Sequence, residues 1–146
     1  MRGLAVRLGI IAVIVVGGLL LRDRLSGSAG ALRLGDCFDD PGQTANVKQV
    51  QHHPCTEAHS AEVIFVGDYP GATTWPGTDA FDRYVFNVCV PTFETYTARN
   101  FQSDTEFDIG YLYPTEDGWP KGDHEIACYV VRLDGAAMSS SVKAGS

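Results

Sequence analysis

Hydrophobic and polar positions alternate in three different ways along the chain. Leu8 to Leu21 is an unbroken run of 14 residues that are apolar or glycine, with no polar face to meet solvent. As a helix it covers about 21 Å at 1.5 Å per residue. Extension back to Gly3 adds about 7.5 Å and brings in Arg7, which lies close enough to the end to reach the lipid headgroups. We read residues 1–25 as an N-terminal transmembrane signal anchor. The competing reading is a cleaved signal peptide, for which Ala29 and Ala31 supply a small-residue pattern. That pattern lies beyond the charged Arg22, Asp23 and Arg24, whereas cleavage sites follow the apolar run closely. No cysteine stands just after the run, so a lipoprotein anchor has no support.

Past the run the periodicity changes. Val47, Val50 and Cys55 bracket a strand, and Ala61 to Val66 is an almost wholly apolar, β-branched strand ended by Tyr69-Pro70-Gly71. Thr78 or Asp79 can cap a helix. Behind them Ala80/Phe81, Tyr84/Val85 and Val88/Cys89 recur every four residues, with Asp82, Arg83 and Asn87 between, which predicts an amphipathic helix. Pro91 predicts a kink or a new turn, and the apolar face continues as Cys89, Phe93 and Tyr96. Phe107, Ile109, Tyr111 and Tyr113 alternate with Asp108, Gly110 and Leu112, a strand with one buried face. Glu125 to Leu133 is the last strand, with Ile126, Cys128, Val130 and Arg132 on one side and Ala127, Tyr129, Val131 and Leu133 on the other. The order β-β-α-β-β predicts an α+β domain, a small antiparallel sheet of four to five strands with one main helix packed on a face. Residues 26–33 read as a flexible tether, 34–134 as the folded domain and 135–146 as a disordered tail.

Charge sharpens this division. The 146 residues carry a formal net charge of −7, but residues 1–31 sum to +3 and residues 32–146 to −10. Arg2 and Arg7 precede the apolar run and Arg22 and Arg24 follow it. The α-amino group and Asp23 tilt the balance toward a cytoplasmic N-terminus and an extracytoplasmic domain in a single-pass protein. A domain this acidic repels phosphate backbones, so a nucleic-acid partner is not expected.

All four cysteines, Cys37, Cys55, Cys89 and Cys128, follow the apolar run. An even count beyond an export signal reads as two disulfides in an oxidising compartment. Four cysteines allow three pairings, and spacing does not choose among them. The expectation adopted is Cys37–Cys55, closing a short loop, and Cys89–Cys128, tying the helix to a late strand. A metal site is the rival, since His52, His53, Cys55 and His59 fall within eight residues. The zinc-ligand spacing is incomplete, however, and neither metal nor cofactor is expected.

Catalytic signatures are absent: there is no G-x-S-x-G, H-E-x-x-H, Walker loop or dinucleotide fingerprint. His59 and Glu62 could serve as acid and base in a cleft, although a turn hydrogen bond and a strand position explain them as well. The acid-rich run from Asp104 to Asp108 lacks calcium-loop spacing and reads as a solvated turn. Trp75, Trp119, Tyr69, Tyr111 and Tyr113 read as core and loop anchors before they read as a contact patch.

Four short signatures then stand in order. They are Leu34-Gly35-Asp36-Cys37-Phe38; Pro54-Cys55-Thr56-Glu57-Ala58-His59-Ser60-Ala61-Glu62-Val63; Cys89 followed by Phe93 and Tyr96; and Tyr113-Pro114-Thr115-Glu116 with Trp119-Pro120-Lys121-Gly122-Asp123 and Cys128. Together they resemble the septum formation domain, found mostly in actinobacterial membrane proteins and lipoproteins. The chain departs from that pattern at Ala58, where proline is usual, and at His124, where arginine is frequent. The resemblance implies an exported, disulfide-bonded domain held at the membrane and linked to septum formation, cell division or the cell envelope. It brings no catalytic residues. The expected function is a non-enzymatic binding or scaffold module with an envelope or division protein as partner. The alternatives are a cell-envelope hydrolase using His59 and Glu62, and a metal-binding exported protein.

Overall fold

The computed structural model describes residues 26–42 and 46–146. The predicted membrane anchor, residues 1–25, lies outside them, and among the described residues no helix is long and apolar enough to cross a membrane. Among the described residues there are six strands: β1 (Ser26–Ser28), β2 (Cys37–Phe38), β3 (Gln49–His53), β4 (Ala61–Asp68), β5 (Phe107–Leu112) and β6 (Glu125–Arg132). One long helix, α1 (Thr78–Thr97), falls between β4 and β5. The strands lie in the order β1-β3-β2-β4-β6-β5, and every pairing is antiparallel. Five strands make the sheet proper, and the three-residue β1 extends its edge. The expected α+β layout of one helix on a small antiparallel sheet is what forms.

The sheet buries both faces, which is why β4 and β6 are so apolar. One core holds Phe38, Val50, Ala61, Val63, Leu112, Ala127 and Tyr129. The other holds Ile64, Ile126, Cys128 and Val130 against Phe81, Val85, Cys89 and Phe93 of α1. Burial of side chains of this size contributes roughly 1.5–3 kcal/mol each. The register slips between Val63 and Phe65. That bulge turns the consecutive Ile64 and Phe65 both toward α1, while Val66 returns to the first core.

Helix α1 follows the four-residue recurrence, with Phe81, Val85, Cys89, Phe93 and Thr97 buried in succession. Two details differ from expectation. Gly77, with φ 89°, occupies the capping position and no side chain caps the helix; Thr78 already lies inside it, and Asp79 acts in the first turn, where a negative charge meets the positive end of the helix dipole. At Pro91, on the exposed side, the helix runs on without the new turn weighed there, and the apolar face continues through Phe93. The chain leaves α1 through Ala98, at φ 56° in the left-handed region.

The two end segments are corrections. The stretch read as a flexible tether forms β1 and a 3-10 turn at Ala29–Ala31, and Ala29 and Leu32 are buried in the first core. The stretch read as a disordered tail packs back on the sheet. The backbones of His59 and Met138 exchange hydrogen bonds of 3.0 and 2.7 Å, Met138 is buried, and the Ala144 amide donates to the Tyr96 carbonyl at 2.9 Å. Small polar residues carry little burial of their own, so the order comes from partners the tail finds on the sheet.

Candidate functional site

Both disulfides form as expected, Cys37–Cys55 with Cα atoms 5.3 Å apart and Cys89–Cys128 at 6.1 Å. The second joins α1 to β6 through the core. The first lies at the edge of the most unusual polar cluster in the molecule. Cys37 faces Glu62 across the β2–β4 pair, as Phe38 faces Ala61. Cross-strand partners share a face, so Phe38 and Ala61 enter the first core while Cys37 and Glu62 lie side by side on the helix side. His59 precedes β4 in the turn that follows Cys55.

Glu62 and His59 are 0% and 1% exposed. A buried carboxylate is costly without donors, and Glu62 has three. Its Oε1 accepts from the Tyr96 hydroxyl at 2.6 Å and from the Ser141 hydroxyl at 2.7 Å, and its Oε2 accepts from the Val142 amide at 2.7 Å. Burial, and then the bond to Glu62, push the Tyr96 phenol far above its ordinary range, so it stays a donor. Lys143 adds its ammonium 5.9 Å from the Tyr96 ring centre. The carboxylate thus ties β4, the end of α1 and the C-terminal segment together.

In His59, Nδ1 lies 2.8 Å from the Glu57 carbonyl oxygen. A carbonyl only accepts, so Nδ1 carries the proton. Nε2 is buried and has no hydrogen-bond partner among the described residues. A ring nitrogen of His59, a carboxylate oxygen of Glu62 and Sγ of Cys37 lie within 4.8 Å of one another. The structure therefore brings the two proposed acid–base residues into one cluster, but seals it from solvent beneath the tail. Sequence reasoning missed Tyr96 and Ser141 as its partners.

The histidine–cysteine group weighed as a metal site does not assemble. His53 pairs with Asp39, Nε2 to Oδ2 at 3.0 Å, and His52 and His53 stand outside the convergent cluster. The acid-rich run is a turn with Thr105 and Asp108 exposed and the Glu106 side chain 40% exposed, but Asp104 is drawn in. The Asp104 side chain is 3% exposed, binds Arg99, and accepts from the amides of Glu106 and Phe107, both at 2.9 Å. Arg99 above all, then those amides, hold its carboxyl down at about 2. Glu106 links Arg99 to Arg132, so two arginines pair with Asp104 and Glu106, and Asp108 stays exposed. The aromatic residues are core anchors: Phe81 meets Tyr69, Trp75, Tyr113 and Trp119 with ring centres 5.0–6.0 Å apart. At the position where arginine is frequent in the resembled pattern, His124 packs on Trp119 with ring centres 4.3 Å apart.

A cleft of 410 Å³ runs between the tail and the arginine pair, lined by Arg99, Arg132 and Ser139 to Ser141. A second, of 260 Å³, lies between the Ala29 turn and Tyr113. Leu34, Phe86 and Leu133 are large apolar side chains left in solvent, each more than half exposed.

A curled antiparallel sheet with one helix, closed by two disulfides, defines an α+β domain of the disulfide-stabilised kind, and that chemistry points to an oxidising, extracytoplasmic compartment. A family model for septum formation matches residues 34–145, and the chain belongs to the septum formation family. No curated protein and no solved structure matches it.

Proposed function

We propose that this protein is a membrane-anchored, extracytoplasmic binding or scaffold module that serves septum formation or a related envelope process. The observation that carries the reading is the burial of His59 and Glu62. The residues best suited to acid–base chemistry hold the tail to the sheet and meet no solute in this conformation. Family membership supports the process, the paired cysteines support the compartment, and the apolar run of residues 8–21 supports the anchor. The test is crosslinking of the full chain in its native envelope, followed by identification of what it captures. A specific division or envelope protein is the expected catch. Diffuse distribution with no specific partner would sink the reading, and loss of an enzymatic activity in a His59→Ala, Glu62→Ala variant that still folds would favour the hydrolase alternative.

A further inference from the structure

We propose that the reduced form of the domain binds one divalent transition metal ion, Zn(II) by its donor set, through Cys37, Cys55, His59 and Glu62. The argument starts from the orphaned Nε2 of His59. A buried, unpartnered ring nitrogen costs about 1–3 kcal/mol and calls for a reason. The other nitrogen is bound to the Glu57 carbonyl, the arrangement that fixes the tautomer of a metal-ligating histidine and aims its free lone pair at the ion. Glu62 is oriented just as firmly, by Tyr96, Ser141 and Val142, and those three hydrogen bonds leave about one lone-pair site free, on Oε2.

The third donor, Cys37 Sγ, lies within 4.8 Å of a ring nitrogen of His59 and a carboxylate oxygen of Glu62; Cys55 Sγ, bonded to it, stands outside that convergent set. In the disulfide these sulfurs are poor ligands, so the cluster has no closing partner for Nε2. As thiolates they complete a four-donor S, S, N, O set of the tetrahedral zinc type. Metal–ligand distances of about 2.0 Å to nitrogen and 2.3 Å to sulfur imply donor–donor edges of about 3.5 Å. Cys37, His59 and Glu62 therefore need to close by about 1 Å, while Cys55 Sγ, outside that convergent set, has to swing in further once the S–S bond opens.

The redox step balances with a dithiol reductant. One of its thiolates attacks the half-buried Cys55 Sγ, since Cys37 is only 2% exposed. The S–S bond breaks, Cys37 leaves as a thiolate, and the reductant's second thiol resolves the mixed disulfide and departs oxidised. Two electrons pass to the two cysteines, and the thiol protons go to solvent when the ion binds.

Two preparations test this. One is the full chain in detergent micelles, reduced with a phosphine under anaerobic conditions. The other is Cys55→Ser without reductant, which frees Cys37 and keeps Cys89–Cys128 closed. Each is titrated with Co(II) as the spectroscopic probe. Expected is one equivalent bound with sulfur-to-cobalt charge-transfer and tetrahedral visible bands, displaced by Zn(II), and weakened at least about tenfold by His59→Gln. The bound form should also show a paramagnetically shifted imidazole N–H from Nδ1. The oxidised wild-type protein should give none of these signals. Absence of the cobalt bands from both preparations, or absence of the shifted imidazole proton from the bound form, overturns the proposal. So does binding that is lost in a Cys89→Ala, Cys128→Ala variant and kept in His59→Gln.

Discussion

Replacing Glu62 with glutamine changes one atom's chemistry at the point where three segments meet. The carboxylate accepts three hydrogen bonds of 2.6–2.7 Å, and a bond to a charged acceptor contributes about 1.5–3 kcal/mol. Glutamine best keeps its oxygen toward Tyr96 and Ser141, which turns its NH2 against the Val142 amide. That exchange loses one charge-assisted bond and weakens two others by about 0.5–1 kcal/mol each. Part of the loss is offset because the amide costs less to bury than a carboxylate. The expected net loss for Glu62→Gln is therefore about 2–4 kcal/mol. In a domain of this size that lowers the melting temperature by very roughly 10 °C. Ser141→Ala, which removes one of those donors at a half-buried position, should cost about 1.5 kcal/mol, the low end of that range. Denaturant unfolding supplies the free energies, and amide hydrogen exchange at Val142 and Ala144 reports whether the tail has come loose. If Glu62→Gln melts with wild type and Val142 keeps its protection, the carboxylate does not hold the tail, and the reasoning fails.

Three further outcomes follow from other parts of the structure. Removing Cys89–Cys128 by double alanine substitution opens a loop of sequence separation 39 and should cost about 4 kcal/mol by loop entropy. The corresponding change at Cys37–Cys55, separation 18, should cost about 3 kcal/mol, both read from denaturant midpoints. A Cβ at Gly110 would stand 2.2 Å from the Tyr129 ring, so Gly110→Ala must displace a ring that packs edge-on against Phe38 and bonds Asp40 at 3.0 Å. A loss of about 3 kcal/mol is expected in unfolding experiments, and an unchanged midpoint would contradict that packing. Asp104, held at about 2 in the fold against an ordinary 3.8, binds fewer protons folded than unfolded. Its contribution is complete above the ordinary value and disappears as pH falls from there toward 2. Carboxyl NMR titration should show Arg99→Gln moving Asp104 back toward its ordinary value and flattening that part of the stability profile.

What the sequence disclosed depended on how local the information was. The helix face of Phe81, Val85, Cys89 and Phe93 and the two-sided strand of Ile126 to Val131 are written as periodicity, and both form where periodicity places them. The disulfide pairing held because a helix and a late strand on one core bring Cys89 and Cys128 together. β2 is two residues long, too short for any period to register. The cap moved to Gly77 because its positive φ provides the turn into the helix without a side-chain bond. β1 and the C-terminal segment, rich in serine, glycine and alanine, read as flexible because Met138 and Val142, the only sizeable apolar residues in them, form no periodic pattern. Their order comes from a distance: Glu62 meets Ser141 and Val142 across 79 and 80 residues. His59 and Glu62 were visible as a pair, but their spacing says nothing about the tyrosine and the tail that enclose them.

The central claim, that the exported domain works by binding a specific partner at the division site or envelope, is tested most directly by crosslinking mass spectrometry on the full chain in its native membrane. The account predicts reproducible crosslinks from the region 34–145 to a particular septal or envelope protein, with the same partner captured by a folded variant in which His59 is replaced. Crosslinks scattered over abundant envelope proteins, with no partner enriched, would contradict it.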